Sequence, residues 1–516
     1  MKKIFLLVFC FMVYFGVFAQ PPMNRYVAPL FTSVSETTNV LFSSNVPRPN
    51  PGGGFYETIT GYPLNVDEFS LTNVNLYMNI FQPVGDTLSK RPVAIVCFGG
   101  GFIAGSKDHW SIRLIAQELA KRGFVTAVID YRLGMNIFDE DLSVRAVYRG
   151  VQDGRSAVRF FKADAAGANT YRIDPDQIYI GGHSAGAFVA THNAYLDKES
   201  ERPASTHQWP QGCGFLDLST CNCPDQQCLD CVGNNKSFNG HAKAVFSLAG
   251  AVGFTSYMES ASDPKIVMFH SQDDDTVPYN SGQPFGSVSG WIVGFDLPDV
   301  YGSLPMSQRA DVINLPDMFH SYTSRGHSVH EQTSSTFYSD IIPAISDWFN
   351  VQLLKPPTHP VNGKSYVCNS TPQQTYTTNT GQAAYYHWEI TGGTFITSNT
   401  NTTSVTVLWD INAPSHQIKL TPYSKWDSKG DQTILNVSVS ESFTNTWTSA
   451  SGLWNQHEKW SLLTMPESCH HVVIPSQPSV TNVDVPANQT FQIKSLNIGN
   501  NAKVMVPESS SILVEE

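Results

Sequence analysis

The sequence predicts an α/β fold followed by all-β modules, and three observations support this fold class. Before residue 355, apolar strand-like runs alternate with helical patterns, which is typical of a mostly parallel sheet with helices on both faces. At "LLKPPTHP" the chain passes through a proline-rich linker, and beyond it Thr, Ser and Asn become abundant. Alternating runs in that second region, such as 404–411 and 433–440, predict β modules.

The first region contains a series of predicted strands, most of them followed by a predicted helix. The strands are 92–98, 124–131, 177–182 and 265–270. The helices run from about Ser111 to Arg122, from about Val144 to Ala165, and onward from Ser184. This order predicts βαβ units in a doubly wound sheet.

The N-terminus and the overall composition restrict the class of protein. Residues 1–19 carry two lysines, an apolar run and Ala19 before Gln20, which predicts a secretory signal peptide and a secreted or cell-surface protein. No later run reaches the length of a transmembrane helix. With 44 acidic and 32 basic residues the net charge is -12, so we expect no nucleic-acid partner. At 516 residues the chain should form two to four domains.

The cysteines concentrate in one segment, which we interpret as an insertion at about 199–240. Five of the nine cysteines of the chain lie there, namely Cys213, Cys221, Cys223, Cys228 and Cys231. In an exported protein such a cluster predicts local disulfides with at least one of the five unpaired, and a zinc site is the alternative. Cys97 is expected to be a buried free thiol. Pairing of Cys368 with Cys469 stays open.

The stretch "YIGGHSAGAF" places Ser184 between two glycines, Gly182 and Gly186. A nucleophile elbow holds its serine in a strained turn between a strand and a helix, where side chains at the flanking positions would collide with neighbouring elements. The strand before this turn and the helix after it match that arrangement. We therefore predict that Ser184 is a nucleophile; the alternative is a polar residue in a turn of small residues.

A second glycine-rich stretch, "CFGGGFIAGS", follows the strand at 92–98. Consecutive glycines let backbone N–H groups approach a ligand closely, as an oxyanion hole requires. The amides of Gly100 and Gly101, together with that of Ala185, are the predicted donors, and a flexible turn is the alternative.

These stretches, with "VIDYRLG", "VQDGRSAVRFFKADA" and "HSQDDDTVPY", resemble the carboxylesterases of the α/β-hydrolase superfamily, close to the hormone-sensitive-lipase-like and ferulic-acid-esterase/lipase-like enzymes. The resemblance covers about residues 60–350. It implies an α/β-hydrolase fold and a triad in the order serine, acid, histidine. Phe98 stands where the family has the histidine of its His-Gly-Gly-Gly loop.

The resemblance also implies the other two members of the triad. In the family pattern the acid lies four residues after the histidine of its loop and three before the valine, which selects Asp274 between His270 and Val277. Asp273 and Asp275 are then expected to bond within the turn. A calcium loop is an alternative, but EF-hand spacing is missing. For the base, His327 follows Gly326 as in the family, with His320 and His330 nearby.

The second half resembles modules of exported multidomain proteins. Residues 361–441 resemble a PKD-like β-sandwich, in which Tyr386 and Trp388 could bind a glycan, although alternation favours Trp388 in the core. Residues 442–516 suggest a β-rich module that could begin a parallel β-helix. The end at "SILVEE" leaves open a truncated chain. The expected domains are thus 20–352, a linker at 353–360, 361–441 and 442–516.

Together these features predict a secreted serine carboxylesterase that needs no metal or organic cofactor. Its expected substrate is a small or polysaccharide-linked ester, such as a plant-polysaccharide acetyl or feruloyl ester or another aryl or short-acyl ester. A serine peptidase of the prolyl-oligopeptidase kind is one alternative. Another is a surface adhesion or glycan-binding protein with an inactive hydrolase domain, and the C-terminal modules are candidates for cell-surface or glycan association.

Overall fold

The computed structural model describes residues 24–52, 61–62, 64–214, 217–286, 295–331, 336–476 and 480–515. The predicted signal peptide lies outside the described residues. The chain divides into two compact units. The first extends to Lys355 and includes Trp426–Ser428, and the second comprises Pro356–Lys425 and the residues from Lys429 onward.

The first unit is built on strands that alternate with helices. Its strands are β1 (Val34–Pro51), β2 (Val66–Pro83), β3 (Arg91–Cys97), β4 (Val125–Ile129), β5 (Ile173–His183), β6 (Trp209–Gly214), β7 (Asp217–Cys223), β8 (Ala244–Leu248), β9 (Ala251–Val252), β10 (Lys265–Ser271), β11 (Ser281–Gly282), β12 (Val300–Gly302) and β13 (Asp317–Tyr322). Its α-helices are α1 (Trp110–Lys121), α2 (Glu140–Ala166), α3 (Ala185–Tyr195), α4 (Ser303–Ile313) and α5 (Ile342–Phe349).

Eight of these strands form one sheet in the order β1-β2-β4-β3-β5-β8-β10-β13. The pairs β1/β2 and β2/β4 are antiparallel, and the pairs from β4 to β13 are parallel. Every residue of β3, β4 and β8 is buried, as expected where helices cover both faces of a parallel sheet. This is the α/β-hydrolase sheet that the sequence predicts.

The helices begin close to their predicted positions, with one difference. Helix α2 starts at Glu140 rather than near Val144 because Asp139 caps it, its carboxylate accepting a hydrogen bond from the Leu142 N–H at 3.0 Å. Helix α3 begins directly after Ser184. The carboxyl ends of the parallel strands therefore meet the amino ends of helices at one edge of the sheet.

The cysteine-rich insertion contains the antiparallel hairpin β6/β7. Cys228 and Cys231 form a disulfide, Cys221 is also disulfide-bonded, and Cys223 is a buried free thiol. The prediction of local disulfides with an unpaired cysteine is thus confirmed for the described side chains. Cys97, as predicted, is buried and free.

The second unit begins with short strands arranged as in a β-sandwich. They are β14 (Tyr366–Cys368), β15 (Gln373–Thr377), β16 (Tyr385–Thr391), β17 (Gly393–Phe395), β18 (Ser404–Trp409), β19 (Gln417–Tyr423), β20 (Thr433–Asn436) and β21 (Ser438–Ser440). The predicted strand 433–440 is divided, since β20 pairs with β19 whereas β21 pairs with β14. Trp388 is buried and its indole donates to the Thr402 carbonyl at 2.8 Å, which confirms its place in the core.

The remaining strands stack as parallel pairs. They are β22 (Phe443–Thr446), β23 (Ser451–Leu453), β24 (His470–Ile474), β25 (Thr481–Asp484), β26 (Thr490–Ile493), β27 (Ser495–Ile498), β28 (Ala502–Met505) and β29 (Ser511–Val514). The sheets β22-β24-β27, β23-β25-β28 and β26-β29 are all parallel. Each turn of the chain thus adds one strand to successive sheets, the arrangement of a parallel β-helix. Within this unit Cys368 and Cys469 form a disulfide.

Candidate active site

Ser184 lies in a strained turn between β5 and α3. Its backbone angles are φ 55° and ψ -123°, a conformation that is costly for a residue with a side chain and is typical of a nucleophile elbow. Its N–H donates to the Leu248 carbonyl at 2.9 Å. A Cβ atom at Gly182 or Gly186 would lie 2.4 or 2.2 Å from the Cys97 carbonyl oxygen. The two glycines are therefore required by close packing of the elbow against the end of β3.

The predicted oxyanion loop passes directly beside this serine. A Cβ atom on Gly99 would lie 3.2 Å from the Ser184 Cβ. Gly100 and Gly101 have φ values of 125° and 61°, which favour glycine. Ala185 is the first residue of α3, so its N–H has no carbonyl partner within the helix. This placement is compatible with the three predicted amide donors.

Phe98 anchors the loop in place of the histidine found in the resembling family. Its ring is buried and stacks on Tyr131, with ring centroids 4.2 Å apart. The Tyr131 hydroxyl donates to the Phe98 carbonyl at 2.8 Å. Aromatic stacking and one buried hydrogen bond thus hold the start of the loop.

Asp274 lies on the loop after β10 and is surrounded by hydrogen-bond donors. Its Oδ1 accepts from the backbone N–H groups of Thr276 and Val277, both at 2.9 Å. Its Oδ2 accepts from His270 Nε2 at 3.1 Å and from His327 Nδ1 at 2.9 Å. Burial opposes ionisation of the carboxyl, but the bonds from His270 and His327 outweigh it and hold the pKa of Asp274 well below its usual range.

Of the three candidate histidines, His327 is the one that contacts Asp274. Its side chain is 19% exposed, whereas that of Asp274 is fully buried. His320 stacks on Phe269, and His330 Nε2 lies 3.2 Å from the Ser111 hydroxyl. The structure thus brings together the acid and base that the resemblance implied.

Asp275 bonds within the turn, as expected, whereas Asp273 bonds both within the turn and to the loop that carries His327. Asp273 accepts hydrogen bonds from the Ser271 hydroxyl and from the Gly326 N–H at 2.9 Å. Asp275 accepts from the Thr276 hydroxyl at 3.1 Å. Since Gly326 immediately precedes His327, this bond also links Asp273 to the loop that carries His327.

His183 connects Ser184 to His327, because it directly precedes Ser184 in the chain and contacts His327. The His183 Nε2 donates to the His327 carbonyl at 3.1 Å, and the two ring centroids are 4.7 Å apart. Among the described residues, no hydrogen bond joins the Ser184 hydroxyl to the His327 imidazole. Such contacts are often loose in unliganded enzymes, and the serine–histidine step stays a prediction.

Two supporting histidines were missed by reasoning from the sequence. His183 occupies the variable position before the serine, and its ring contacts those of both His327 and His330, with centroid distances of 4.7 and 4.5 Å. His270 was used only to count to Asp274, yet its Nε2 donates to that carboxylate. Their positions in the sequence could have indicated both histidines, because His183 directly precedes Ser184 and His270 lies four residues before Asp274.

An apolar cavity of about 50 Å³ opens beside Ser184. Gly101, Phe102, Ala185 and Val277 are among its lining residues. The nucleophile, the glycine loop and the acid loop therefore border one small space. An acyl group bound there would lie against the serine and against two of the three predicted oxyanion donors, Gly101 and Ala185.

The described residues contain two groupings with metal-ligand chemistry. One is the set Asp197, Glu201 and Glu259, of which Glu201 is half-buried and the other two are exposed. The other is Cys368, Cys469 and His470, but its two sulfurs form a disulfide and are not thiolate ligands. Neither grouping includes a predicted catalytic residue. Within the part of the chain that the structure describes, no helix has the length and apolar character needed to span a membrane.

Comparison with known proteins finds related sequences for part of the chain. The chain is 36% identical over 131 residues to the neuroligin-like protein glit-1 of Caenorhabditis elegans, covering 24% of this chain and 16% of that protein. It is 30% identical over 154 residues to gut esterase 1 of Caenorhabditis briggsae, covering 28% and 26%. It is 26% identical over 217 residues to the probable isoprenylcysteine alpha-carbonyl methylesterase ICME of Oryza sativa subsp. japonica, covering 39% and 48%. The chain thus spans half or less of the length of these relatives.

Two solved structures are also similar. An esterase from the Planctomycetes species Thermogutta terrifontis is 18% identical with a TM-score of 0.37, covering 55% of this chain and 89% of that chain. A truncated carbohydrate esterase from gut microbiota is 17% identical with a TM-score of 0.38, covering 63% and 97%.

Two family models match separate parts of the chain. Residues 78–287, which contain β3 to β5, the elbow and Asp274, match the BD-FAE family. Residues 355–437 match the PKD-like domain. This chain therefore contains a BD-FAE domain with the α/β-hydrolase fold, followed by a PKD-like domain.

Proposed function

We propose that this protein is an exported serine hydrolase of carboxylic esters, with Ser184, His327 and Asp274 as its triad. The observation that carries the proposal is the bond from His327 to the buried Asp274, on the loops after β13 and β10, beside a serine in a strained turn after β5. This order of serine, acid and histidine along the chain is that of α/β hydrolases. The similarity of part of the chain to esterases supports the class of reaction, and the BD-FAE match over 78–287 includes Ser184 and Asp274.

In the first half of the reaction, the Ser184 hydroxyl attacks the ester carbonyl while His327 Nε2 accepts its proton. Asp274, ionised because its pKa is depressed, keeps the proton of His327 on Nδ1 and stabilises the imidazolium that forms. The N–H groups of Gly100, Gly101 and Ala185 stabilise the oxyanion. His327 then gives its proton to the departing alcohol, which leaves an acyl group on Ser184.

In the second half, water replaces the alcohol. His327 accepts a proton from this water, which attacks the acyl carbonyl, and the same amides bind the second oxyanion. Return of the proton to Ser184 releases the carboxylic acid. None of these steps requires a metal or an organic cofactor.

Export is part of the same proposal. The pattern of residues 1–19 predicts a signal peptide, and the disulfides Cys228–Cys231 and Cys368–Cys469 are typical of proteins that fold in an oxidising compartment. Intact mass of the exported protein should correspond to a chain that starts at Gln20. A mass that retains residues 1–19 would contradict cleavage.

The substrate is proposed at the level of chemical class. The small apolar space beside Ser184 suits a short acyl group, and plant-polysaccharide acetyl esters or other short-acyl and aryl esters are compatible with it. Tyr386 and Trp388 are both buried, which removes the two residues that the sequence suggested for glycan contact, so we propose no glycan site in the PKD-like region.

Hydrolysis of 4-nitrophenyl acetate by the full chain tests the proposed activity. We expect turnover that Ser184→Ala lowers by about 10⁴-fold or more, with unchanged circular dichroism. A peptide anilide assayed in parallel separates an esterase from a serine peptidase. A folded wild-type protein without ester turnover would instead favour an inactive hydrolase domain in a binding protein.

A further inference from the structure

A second, larger cavity adjoins the one at Ser184. Its volume is about 300 Å³. Four residues line both cavities, namely Val147, Phe188, Pro298 and Val300. Further apolar lining comes from Val144, Val151 and Leu196. A substrate whose acyl group lies beside Ser184 could therefore extend its other part across Phe188 into this space.

The lining of the larger cavity is acidic at its exposed side. The carboxylates of Glu140, Asp141 and Asp299 contribute to it, and Glu140 and Asp299 are exposed. Among the described lining residues there is no lysine or arginine. We name these three carboxylates the acidic mouth.

The other titratable groups near the cavity do not neutralise the acidic mouth. His192 lines the cavity, but burial lowers its pKa to about 4. Its Nδ1 lies 2.8 Å from the Phe188 carbonyl and its Nε2 accepts from the Gly253 N–H at 3.0 Å. Arg202 packs over the Tyr148 ring and is paired with Glu199 and Asp225.

Repulsion among the carboxylates is consistent with a negative potential at the mouth. Burial raises the pKa of Glu140, and the charges of Asp296, Asp141 and Asp299 raise it further. Burial and the charges of Asp139 and Asp296 likewise raise the pKa of Asp141. A further negative charge brought into this space by a ligand would meet the same repulsion, whereas a hydroxyl or ammonium donor would meet acceptors.

We propose that this cavity binds the alcohol part of the ester, as a largely apolar group whose outer end is neutral or positively charged, and that the acidic mouth excludes esters bearing a carboxylate there. The inference rests on the proposed esterase function and, among the substrate classes proposed above, favours esters of largely apolar alcohols over polysaccharide acetyl esters. It divides the substrate between the two spaces. A short acyl chain occupies the cavity of about 50 Å³ beside Ser184, and the alcohol occupies the cavity of about 300 Å³.

Three aryl acetates of one scaffold test the proposal. They are 4-(carboxymethyl)phenyl acetate, 4-(2-hydroxyethyl)phenyl acetate and 4-[2-(trimethylammonio)ethyl]phenyl acetate, in which methylene groups insulate the ring from the charge. Spontaneous hydrolysis of each ester corrects for leaving-group reactivity. A chelator removes any divalent cation that the carboxylates hold. We expect kcat/KM for the anionic ester to be at least about tenfold below that for the other two, with the gap narrowing at high salt.

The double variant Glu140→Gln with Asp299→Asn should narrow the gap between anionic and neutral esters to about threefold or less. Asp176→Asn is the matched control, because it removes an exposed charge from the other end of β5, remote from the elbow. That control should leave the anionic-to-neutral ratio of kcat/KM unchanged.

Equal kcat/KM values for the three esters would overturn the inference, as would a ratio that the double variant does not alter. Either result with good turnover of the neutral ester leaves the proposed function intact. If none of the esters is hydrolysed and Ser184 forms no adduct with an organophosphate, the proposed function itself fails.

Discussion

The imidazole of His183 contacts His327 in two ways. Its Nε2 donates to the His327 carbonyl at 3.1 Å, and the two ring centroids are 4.7 Å apart. Burial, followed by the nearby His330 and His327, holds the pKa of His183 well below its ordinary value. A neutral ring is therefore packed beside the imidazole that becomes charged in the proposed reaction. The residue before the nucleophile thus links the elbow to the histidine loop.

Replacing His183 should disturb catalysis through the position of His327. We expect His183→Leu to lower kcat by about 10- to 100-fold, because small misplacement of a reacting group is costly, with KM within about twofold. His183→Gln, whose side-chain amide can donate to the same carbonyl, should recover most of the loss. Steady-state kinetics of both variants checks this. Equal losses in the two variants, or a loss confined to KM, would argue against a positioning role.

Among the three adjacent carboxylates, only Asp274 should be essential for rate. Asp274→Asn should lower kcat by about 10³- to 10⁴-fold, since a neutral amide favours the wrong imidazole tautomer. Asp273→Asn and Asp275→Asn should stay within about tenfold, or about 1.4 kcal/mol, because an amide oxygen can still accept the bonds of the turn. Kinetics of the three variants side by side decides the assignment. A collapse at Asp273 or Asp275 with Asp274 spared would refute it.

The hydrogen bond from Tyr131 to the Phe98 carbonyl should stabilise the position of the oxyanion loop. Tyr131→Phe leaves the stacked rings but removes the donor to the Phe98 carbonyl, and a buried acceptor without its partner costs about 1–3 kcal/mol. We expect kcat to fall by about three- to tenfold. Tyr195→Phe is the matched control, since its buried hydroxyl donates to the Pro264 carbonyl instead. If both variants lower kcat equally, the effect is not specific to the loop.

The pH dependence of stability should reflect the buried histidines. Burial, and then His109 and His327, lower the pKa of His330 from 6.5 to about 3, although Glu331 lies 3.6 Å away. Because the folded value is below the unfolded one, the unfolded chain binds the proton more readily between them. Stability is therefore lost as pH falls from about 6.5. The depressed pKa of Asp274 acts separately, because its contribution is lost only below the ordinary pKa of a carboxyl, about 4.

His330→Gln removes this titration and isolates it from the other groups. Relative to wild type, the variant should gain up to about 1.4 kcal/mol of unfolding free energy for each pH unit below about 6. Urea unfolding of both proteins at about pH 6.5 and about pH 5 measures the difference. If the difference in unfolding free energy between the variant and wild type does not change with pH, His330 is not held neutral in the folded protein.

The sequence was sufficient for the elements that local pattern determines. Continuous apolar runs identified β3, β4 and β10, and the glycines around Ser184 identified the elbow because only small residues fit against Cys97. Contacts between residues far apart in the sequence were harder to predict. Cys368 and Cys469 are 101 residues apart, and nothing local shows that they pair. The stacking of Phe98 on Tyr131 likewise depends on how two strands meet.

The cavities and the division of the strand at 433–440 were also beyond sequence reasoning. The larger cavity is formed by residues of α2 and α3 and by segments near 203–205, 253–257 and 298–300, which come together only in the fold. Residues 433–440 alternate as one strand would, but the Val437 N–H bonds to the His416 carbonyl and the two halves join different sheets. Periodicity reports local conformation and not the choice of partner strand.

The central claim is that Ser184 is the nucleophile activated by His327, and covalent trapping tests it most directly. After reaction with diethyl 4-nitrophenyl phosphate, peptide mass spectrometry should find one diethylphosphoryl group on Ser184, in step with loss of ester turnover, and His327→Gln should slow the labelling by about 10²-fold or more. Complete inactivation with the phosphoryl group on another residue, or ester turnover that persists in Ser184→Ala, would contradict the assignment.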